Sequence, residues 1–145
     1  MSFRHLADNN RQVASQYPVS RRAANQLIDG VRKGFPAARL NKMAQVLSVD
    51  RAVLLRVLGV SERTVQRKHL VSGRLSPAAS DRLSRIDRIY ALALDVFGDK
   101  GKAALWLKRP SRALGNEVPL KFLDTDAGTQ QVERELRQIQ YGFVY

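Results

Sequence analysis

Cysteine is absent from this 145-residue chain, and histidine occurs only twice. The lack of cysteine excludes disulfide bonds and thiolate metal sites, and it fits a reducing compartment. With only His5 and His69 available, a histidine-rich metal site or a histidine-based catalytic triad is hard to build. The sequence therefore predicts neither a bound metal nor a cofactor.

Long apolar runs and enzyme signatures are also missing. No stretch of about eighteen apolar residues occurs, so the sequence predicts no membrane span. Residues 1–6 lack the apolar core of a secretory signal. The chain contains no glycine-rich phosphate loop and no metal-ligand spacing. Its C-terminal carboxylates are scattered singly, at positions that helix capping and solvation explain. We therefore expect a cytoplasmic protein that is not an enzyme.

Positive charge is abundant, and it is concentrated in one part of the chain. The net charge is +12. Residues 1–90 contain 17 Lys and Arg against 6 Asp and Glu, whereas residues 91–145 contain 8 against 7. Concentrated positive charge favours a polyanion, because neutralising phosphates releases counterions. A basic soluble surface is the plainer alternative, and an anionic membrane would require a basic amphipathic helix with large apolar residues. The asymmetry favours a nucleic acid as the partner of the first 90 residues.

Helical patterns recur along the chain, and strand patterns are almost absent. Residues 1–19 are polar and weakly patterned and are interpreted as an arm, while residues 111–124 are expected to form a loop. Apolar spacing and capping residues predict an all-α fold. The predicted helices cover residues 20–33, 36–47, 50–58, 62–69, 77–97, 99–109 and 125–140.

Apolar positions with helical spacing are expected to form the core. The first helix carries one such stripe, made of Ala24, Leu27, Ile28 and Val31. Trp106, the only tryptophan, is at a spacing more often found in a core than at a contact surface. The other expected core positions are Leu40, Met43, Ala44, Leu47, Val53, Leu54, Val57, Leu58, Leu83, Ile86, Tyr90, Ala93, Leu94, Phe97, Val132, Leu136 and Ile139.

Residues 50–70 have the pattern of a helix-turn-helix. Gly59 supplies a residue that tolerates positive φ at the corner between two short helices. Packing of Leu54, Leu58, Val60 and Val65 leaves Glu62, Arg63, Gln66 and Arg67 facing outward. Hydroxyls in the first turn can hold a phosphate, and long polar side chains after them can reach base edges in the major groove. The side chains expected to contact DNA are Ser61, Arg63, Thr64, Gln66, Arg67 and Lys68.

Two positions depart from the usual helix-turn-helix pattern. Leu55 stands where a small residue is usual, and Lys68 stands where an apolar residue is often found. A helix–glycine–helix corner also occurs in proteins that bind no DNA. Ser61 can serve only as an N-cap, and Glu62 only as an acid that complements the helix dipole.

Several short motifs downstream, taken in order, resemble the MbcA/ParS/Xre family of bacterial antitoxins. The resemblance covers roughly residues 25–145, and residues 1–24 lie outside it. Each motif alone is weak, but the ordered set with these gaps is specific. The motifs are Gly59-Val60-Ser61-Glu62-Arg63-Thr64-Val65, Gly73-Arg74-Leu75-Ser76-Pro77, Asp81-Arg82-Leu83, Trp106-Leu107, Pro110, Ala113-Leu114-Gly115, Pro119-Leu120, Leu123-Asp124-Thr125, Gly128, Val132, Leu136, Ile139 and Tyr141-Gly142.

This resemblance implies an antitoxin of a type II toxin-antitoxin system. Such antitoxins block the active site of a RES toxin, which is similar to ADP-ribosyltransferases and depletes NAD. They also repress their own operon through the helix-turn-helix, usually as a homodimer. The implied organisation is an N-terminal arm and helix start (1–24), a helix-turn-helix domain (25–84) and a small helical toxin-binding domain (85–145). The expected toxin-binding residues are Leu114, Gly115, Pro119, Tyr141, Gly142, Phe143, Val144 and Tyr145.

The apolar stretch at residues 141–145 is compatible with this role. Five extended residues reach about 17 Å, which is enough to enter a pocket, and aromatic rings make effective anchors. The alternative is that the stretch folds back on its own core. At the level of function, the alternative is a stand-alone transcription regulator whose residues 99–145 dimerise or sense a ligand. The dimer face could be formed by the N-terminal helices or by the long helix.

Overall fold

The computed structural model describes residues 20–142, with only the backbone described at residues 69–71. Within that range the chain forms α-helices and 3-10 turns without a β-strand, so the all-α prediction is confirmed. The α-helices are α1 (Arg21–Lys33), α2 (Ala38–Leu47), α3 (Arg51–Leu58), α4 (Glu62–Val71), α5 (Pro77–Phe97), α6 (Lys100–Lys108) and α7 (Asp126–Gln140). The 3-10 turns are Arg112–Leu114 and Pro119–Asp124.

Side-chain caps determine where most of these helices begin. Ser20, Ser76, Asp99 and Thr125 precede α1, α5, α6 and α7, and each side-chain oxygen accepts a backbone N–H from the third residue after it. The donor–acceptor distances lie between 2.8 and 3.2 Å. Each such cap contributes about 1 kcal/mol to helix stability. The predicted helix starts at these four positions are confirmed.

The long helix α5 lies at the centre of the fold. It contacts α1, α3, α6, α7 and the second 3-10 turn, and it buries residues on several sides. Ile89 and Leu92 are fully buried although the sequence analysis did not select them, whereas Tyr90, Leu94 and Phe97 are only half-buried. A helix with neighbours on several sides needs a wider apolar surface than a single stripe. One continuous core therefore runs from Phe35 to Leu136.

A short antiparallel contact closes the region that contains α2, α3 and α4. The N–H of Leu75 donates to the carbonyl of Phe35 at 2.8 Å, and the N–H of Ala37 donates to that of Gly73 at 2.9 Å. The buried hydroxyl of Ser80 accepts the N–H of Phe35 at 2.8 Å. These bonds hold both ends of the α2–α4 region against the start of α5.

The predicted core of α2 is confirmed, and that of α3 is confirmed except that Val53 is half-buried. The predicted stripe of α1 is only partly buried: Val31 packs against the core, but Leu27 and Ile28 do not. The four α2 positions are buried, as are Leu54, Val57 and Leu58 of α3. In α1 no residue is buried, and the side chains of Leu27 and Ile28 are 39% and 44% exposed. Helix α1 packs mainly on α5, and one neighbour is not enough to cover an apolar stripe along the whole helix.

The segment between α6 and α7 is more regular than the predicted loop. Two 3-10 turns occupy most of residues 111–124, and the second begins with a proline, whose fixed φ suits a helical first position. The expected domain boundary between residues 84 and 85 falls inside α5. The predicted arm at residues 1–19 lies outside the described residues.

Candidate nucleic-acid interface and partner-binding surface

The corner between α3 and α4 has the backbone geometry of a helix-turn-helix. Gly59 adopts a left-handed conformation with φ 68° and ψ 29°, and its N–H donates to the last turn of α3. Val65 of α4 is buried against the core. Leu55, which departs from the usual small residue, is also buried, so the helices accommodate its larger side chain. The predicted helix-turn-helix is confirmed.

Arg82 of α5 forms a hydrogen bond to this corner. Its Nη1 donates to the carbonyl of Leu58 at 2.7 Å, which satisfies a backbone acceptor at the end of α3. A Cβ atom at position 59 would lie 2.2 Å from the same Nη1. The glycine therefore allows both the positive φ and the close approach of the guanidinium. Arg82 belongs to one of the motifs in the sequence, but its bond to Leu58 was not predicted, because the contact joins residues 24 positions apart.

The N-terminus of α4 is capped and faces solvent. The Oγ of Ser61 accepts the N–H of Thr64 at 3.1 Å and lies 2.9 Å from the Thr64 hydroxyl oxygen. Ser61 is exposed and Thr64 is half-buried. Both hydroxyls thus lie at the first turn, where the sequence analysis expected them.

The outward face of α4 carries cations that form no ion pair with the acidic residues in the described part of the chain. Arg63, Gln66 and Arg67 are exposed as predicted, and Lys68 is half-buried. Neither Arg63 nor Arg67 forms an ion pair with any residue that the structure describes. Contact of this face with DNA stays a prediction.

Glu62, the acid of the same helix, is held by α3. Its carboxylate pairs with Arg51 at 3.1 Å, and Arg51 also donates to the Asn41 side chain. Glu62 therefore does not neutralise the arginines further along α4. The outward face presents positive charge to solvent.

The predicted toxin-binding residues fall into three groups. Leu114 and Pro119 are buried, in the two 3-10 turns, so they support the surface from inside. Gly115, Tyr141 and Gly142 are exposed, and Tyr141 is 59% exposed. Phe143, Val144 and Tyr145 lie outside the described residues.

Polar contacts between α5 and α7 show where the chain leaves the last helix. Arg88 pairs with Glu133 at 3.1 Å, and the Gln140 amide donates to Asp95 at 3.2 Å. Both contacts join residues 45 positions apart, so the two helices run in the same direction. Tyr141 therefore emerges beside the C-terminal end of α5.

A cleft of about 420 Å³ separates α2 from α5. It is lined by Arg39, Lys42, Met43, Val46, Asp87 and Tyr90. Arg39 pairs with Asp87 at 2.9 Å. Burial raises the pKa of Asp87 above its usual 3.8, and the neighbouring Arg39 and Lys42 offset only part of this increase. Ionisation of Asp87 is therefore less favourable in the folded state than in the unfolded chain.

The described residues contain neither a metal-binding cluster nor a membrane-spanning helix. Among the described residues, no group of three or more His, Cys, Asp or Glu is arranged to hold a metal ion. No helix in the described part of the chain is long and apolar enough to cross a bilayer.

Two family models match the chain, and each corresponds to one of these surfaces. Residues 26–86, which contain the helix-turn-helix, match the model described as the antitoxin Xre-like helix-turn-helix domain. Residues 92–142, which include α6 and α7, match the antitoxin Xre/MbcA/ParS C-terminal toxin-binding domain.

Individual relatives are similar over most of the chain. A protein named Antitoxin Xre from Yersinia enterocolitica is 32% identical over 126 residues, which cover 86% of this chain and 84% of the relative. Another Antitoxin Xre, from Photorhabdus laumondii, is 33% identical over 79% of this chain and 78% of its own length. A Sphingobium protein named Prs ADP-ribosylating antitoxin is 30% identical over 77% of this chain and 76% of its own length.

Proposed function

The chain belongs to the Xre/MbcA/ParS family of antitoxins, and we propose that it neutralises a RES toxin and represses its own operon. It is a type II antitoxin with a helix-turn-helix DNA-binding domain and a toxin-binding domain. The toxin class and the operator are the proposed part. We assign residues 25–84 to operator binding and residues 85–145 to toxin neutralisation, with the long helix α5 shared between them.

The observation that carries the DNA-binding proposal is the unpaired positive face of α4. Residues 26–86 contain 12 Lys and Arg against 4 Asp and Glu, whereas residues 92–142 contain 8 against 7. The first region has an excess of eight positive charges and the second an excess of one. Cations without acidic partners are available to neutralise phosphates, and this supports operator contact by Ser61, Arg63, Thr64, Gln66, Arg67 and Lys68.

The proposed toxin is an enzyme of the RES class, which is similar to ADP-ribosyltransferases and consumes NAD. The name of the Sphingobium relative refers to ADP-ribosylation, and this supports a toxin with that chemistry. In this proposal the antitoxin catalyses nothing and acts as a stoichiometric inhibitor. Gly115, Tyr141 and Gly142, which are exposed, contact the toxin in this proposal, and residues 143–145 enter its active site.

A homodimer is proposed as the DNA-binding form, with α1 as its dimer face. Leu27 and Ile28 are among the few large apolar side chains that the described residues expose, and Ala24 beside them is half-buried. Helix α5 is a weaker candidate for the dimer face, because its large apolar side chains are already buried or half-buried. A two-fold pair of α1 helices would cover the exposed stripe with the same stripe of a second copy.

The DNA-binding part can be tested with the DNA that lies upstream of the chain's own gene. Replacing Arg63 or Arg67 by Ala should weaken operator binding about tenfold or more, since each arginine is expected to contact a base or a phosphate. Loss of a phosphate contact should also reduce the slope of log K against log salt by about one. Fluorescence anisotropy over a range of salt concentrations measures both quantities.

Arg134 provides the matched control for these variants. It is an exposed arginine on α7, so Arg134→Ala removes the same charge away from α4. Operator affinity should then be close to that of the unmodified chain. Equal losses in all three variants would mean that net charge, and not the face of α4, determines binding.

The toxin-binding part can be tested by co-expression with the protein encoded by the neighbouring gene. The neighbour alone should lower cellular NAD and arrest growth, and the full chain should restore both. A neighbour that leaves growth and NAD unchanged would favour a stand-alone transcription regulator.

A further inference from the structure

We propose that a groove between the end of α5 and α6 is a second toxin-docking surface, fitted to an apolar side chain flanked by carboxylates. This inference rests on the proposed function, because it assumes that the chain binds a toxin. It concerns a different set of residues from the stretch that begins at Tyr141. We name the groove after its central side chain, the Trp106 groove.

The Trp106 groove is large enough to receive a side chain from another protein. Its volume is about 460 Å³, and its lining consists of Phe97, Lys102, Leu105, Trp106, Arg109, Pro110 and Ser111. The rings of Phe97 and Trp106 are tilted by 41° with their centroids 6.0 Å apart. Both aromatic residues are half-buried, and Leu105 is 39% exposed. Two aromatic rings and a leucine therefore leave part of their apolar surface accessible to solvent.

The charges that line the groove are of one sign. Lys102 and Arg109 are both exposed, and the lining contains no acidic residue. Neither cation forms an ion pair with any residue in the described part of the chain. The Asp99 carboxylate accepts the backbone N–H of Lys102 at 2.8 Å, but it does not line the groove. An apolar surface whose lining carries only positive charges is complementary to an apolar side chain with acidic neighbours. This charge pattern therefore favours a partner that presents an apolar side chain flanked by carboxylates.

The groove lies at the same end of the molecule as the proposed toxin-binding stretch. Helices α5 and α7 run in the same direction, and Gln140 contacts Asp95 near the C-terminal end of α5. Phe97 is the last residue of α5. The groove and Tyr141 therefore both lie at this end of α5, within the region that matches the toxin-binding family model. A single partner at this end of the molecule can contact both.

A test requires the full chain, the toxin encoded by the neighbouring gene and two groove variants. Leu105→Glu places a carboxylate among the apolar side chains, and Lys102→Glu reverses one rim charge. We expect each change to raise the Kd for the toxin at least tenfold, about the loss that an interface hot spot produces. The Lys102→Glu effect should shrink in high salt, whereas the Leu105→Glu effect should persist. Circular dichroism melting checks that both variants fold, since both positions are exposed.

Two matched controls separate the groove from general effects of the substitutions. Lys100→Glu reverses the charge of another exposed lysine that does not line the groove, and Val46→Glu changes a side chain of comparable exposure (37%) on α2. Both controls should bind the toxin as the unmodified chain does. Trp106 adds a direct readout: 5-fluorotryptophan in this chain should give a shifted ¹⁹F signal when unlabelled toxin is added.

The possible results distinguish the inference from the proposed function. Toxin binding by the unmodified chain, with losses confined to the groove variants and a shifted fluorine signal, supports the docking surface. Unchanged toxin affinity in both groove variants overturns it while leaving the proposed function intact. Loss of operator affinity instead of toxin affinity would assign the groove to nucleic acid and also overturn it. Failure of the unmodified chain to bind the toxin removes both proposals.

Discussion

Replacing Gly59 by Ala should destabilise the protein through two effects at one position. The left-handed φ of 68° costs an alanine about 1–2 kcal/mol relative to glycine. The new Cβ would also lie 2.2 Å from Arg82 Nη1, so the guanidinium has to move. Because Arg82 is long and flexible, the movement itself is easy, but it breaks the 2.7 Å hydrogen bond to the Leu58 carbonyl.

The size of the second effect follows from the type of bond that is lost. A hydrogen bond to a charged group contributes about 1.5–3 kcal/mol. The two effects together predict that Gly59→Ala lowers the free energy of unfolding by about 2.5–5 kcal/mol. Urea denaturation followed by far-UV circular dichroism measures this quantity.

Gly98 provides the matched control for the backbone effect. Its φ is 66°, and a Cβ there would meet no atom within 4 Å. Gly98→Ala should therefore show only the backbone cost of about 1–2 kcal/mol. Combining Gly59→Ala with Arg82→Met should also cost less than the sum of the single changes, because each removes the same hydrogen bond. Equal losses at positions 59 and 98 would refute the argument that Arg82 stabilises the turn.

Two further predictions concern the cleft beside Asp87 and the exposed face of α1. Burial raises the pKa of Asp87 above 3.8, so the folded state binds this proton more tightly than the unfolded chain, and ionisation opposes folding as pH rises through that interval. The difference in unfolding free energy between Asp87→Asn and the unmodified chain, measured by urea titration, should therefore shift in favour of the variant as the pH rises from 3.8 to the raised pKa. A shift in favour of the unmodified chain over that interval would contradict the assignment. The Leu27→Ser/Ile28→Ser double variant should raise the dimer dissociation constant about tenfold or more, since it removes apolar surface from both copies. Light scattering over a concentration series measures this constant, with Val46→Ser as the control. An unchanged dissociation constant in the double variant would mean that α1 does not form the dimer face.

Local signals in the sequence were sufficient to predict the helices and most of the core. Ser20, Ser76, Asp99 and Thr125 cap helices as expected, because the capping oxygen and the backbone N–H that donates to it lie within one turn of the chain. The outward side chains of α4 could also be predicted, since helical periodicity and the position of Gly59 together fix the face that packs inward.

Features that depend on contacts between distant residues could not be predicted. The stripe of α1 has the correct period, but full burial requires more than the single neighbour α5, and periodicity does not reveal how many neighbours are present. The role of Arg82 at the corner was not predicted, because its acceptor lies 24 residues away. Trp106 was assigned to the core from its spacing, yet it lies half-buried at a groove whose existence depends on how α6 packs against the end of α5.

The continuity of α5 limits how this protein can be recombined with its relatives. One end of the helix carries Ser80 and Arg82, which fix the DNA-binding region, and the other carries Arg88 and Asp95, which bond to α7. A chimera joined between residues 83 and 87 keeps each set of contacts within one parent, whereas a junction before Ser80 or after Arg88 would pair residues from different parents. Exchanging the helix-turn-helix domain between family members therefore requires grafting the first half of α5 together with α2, α3 and α4.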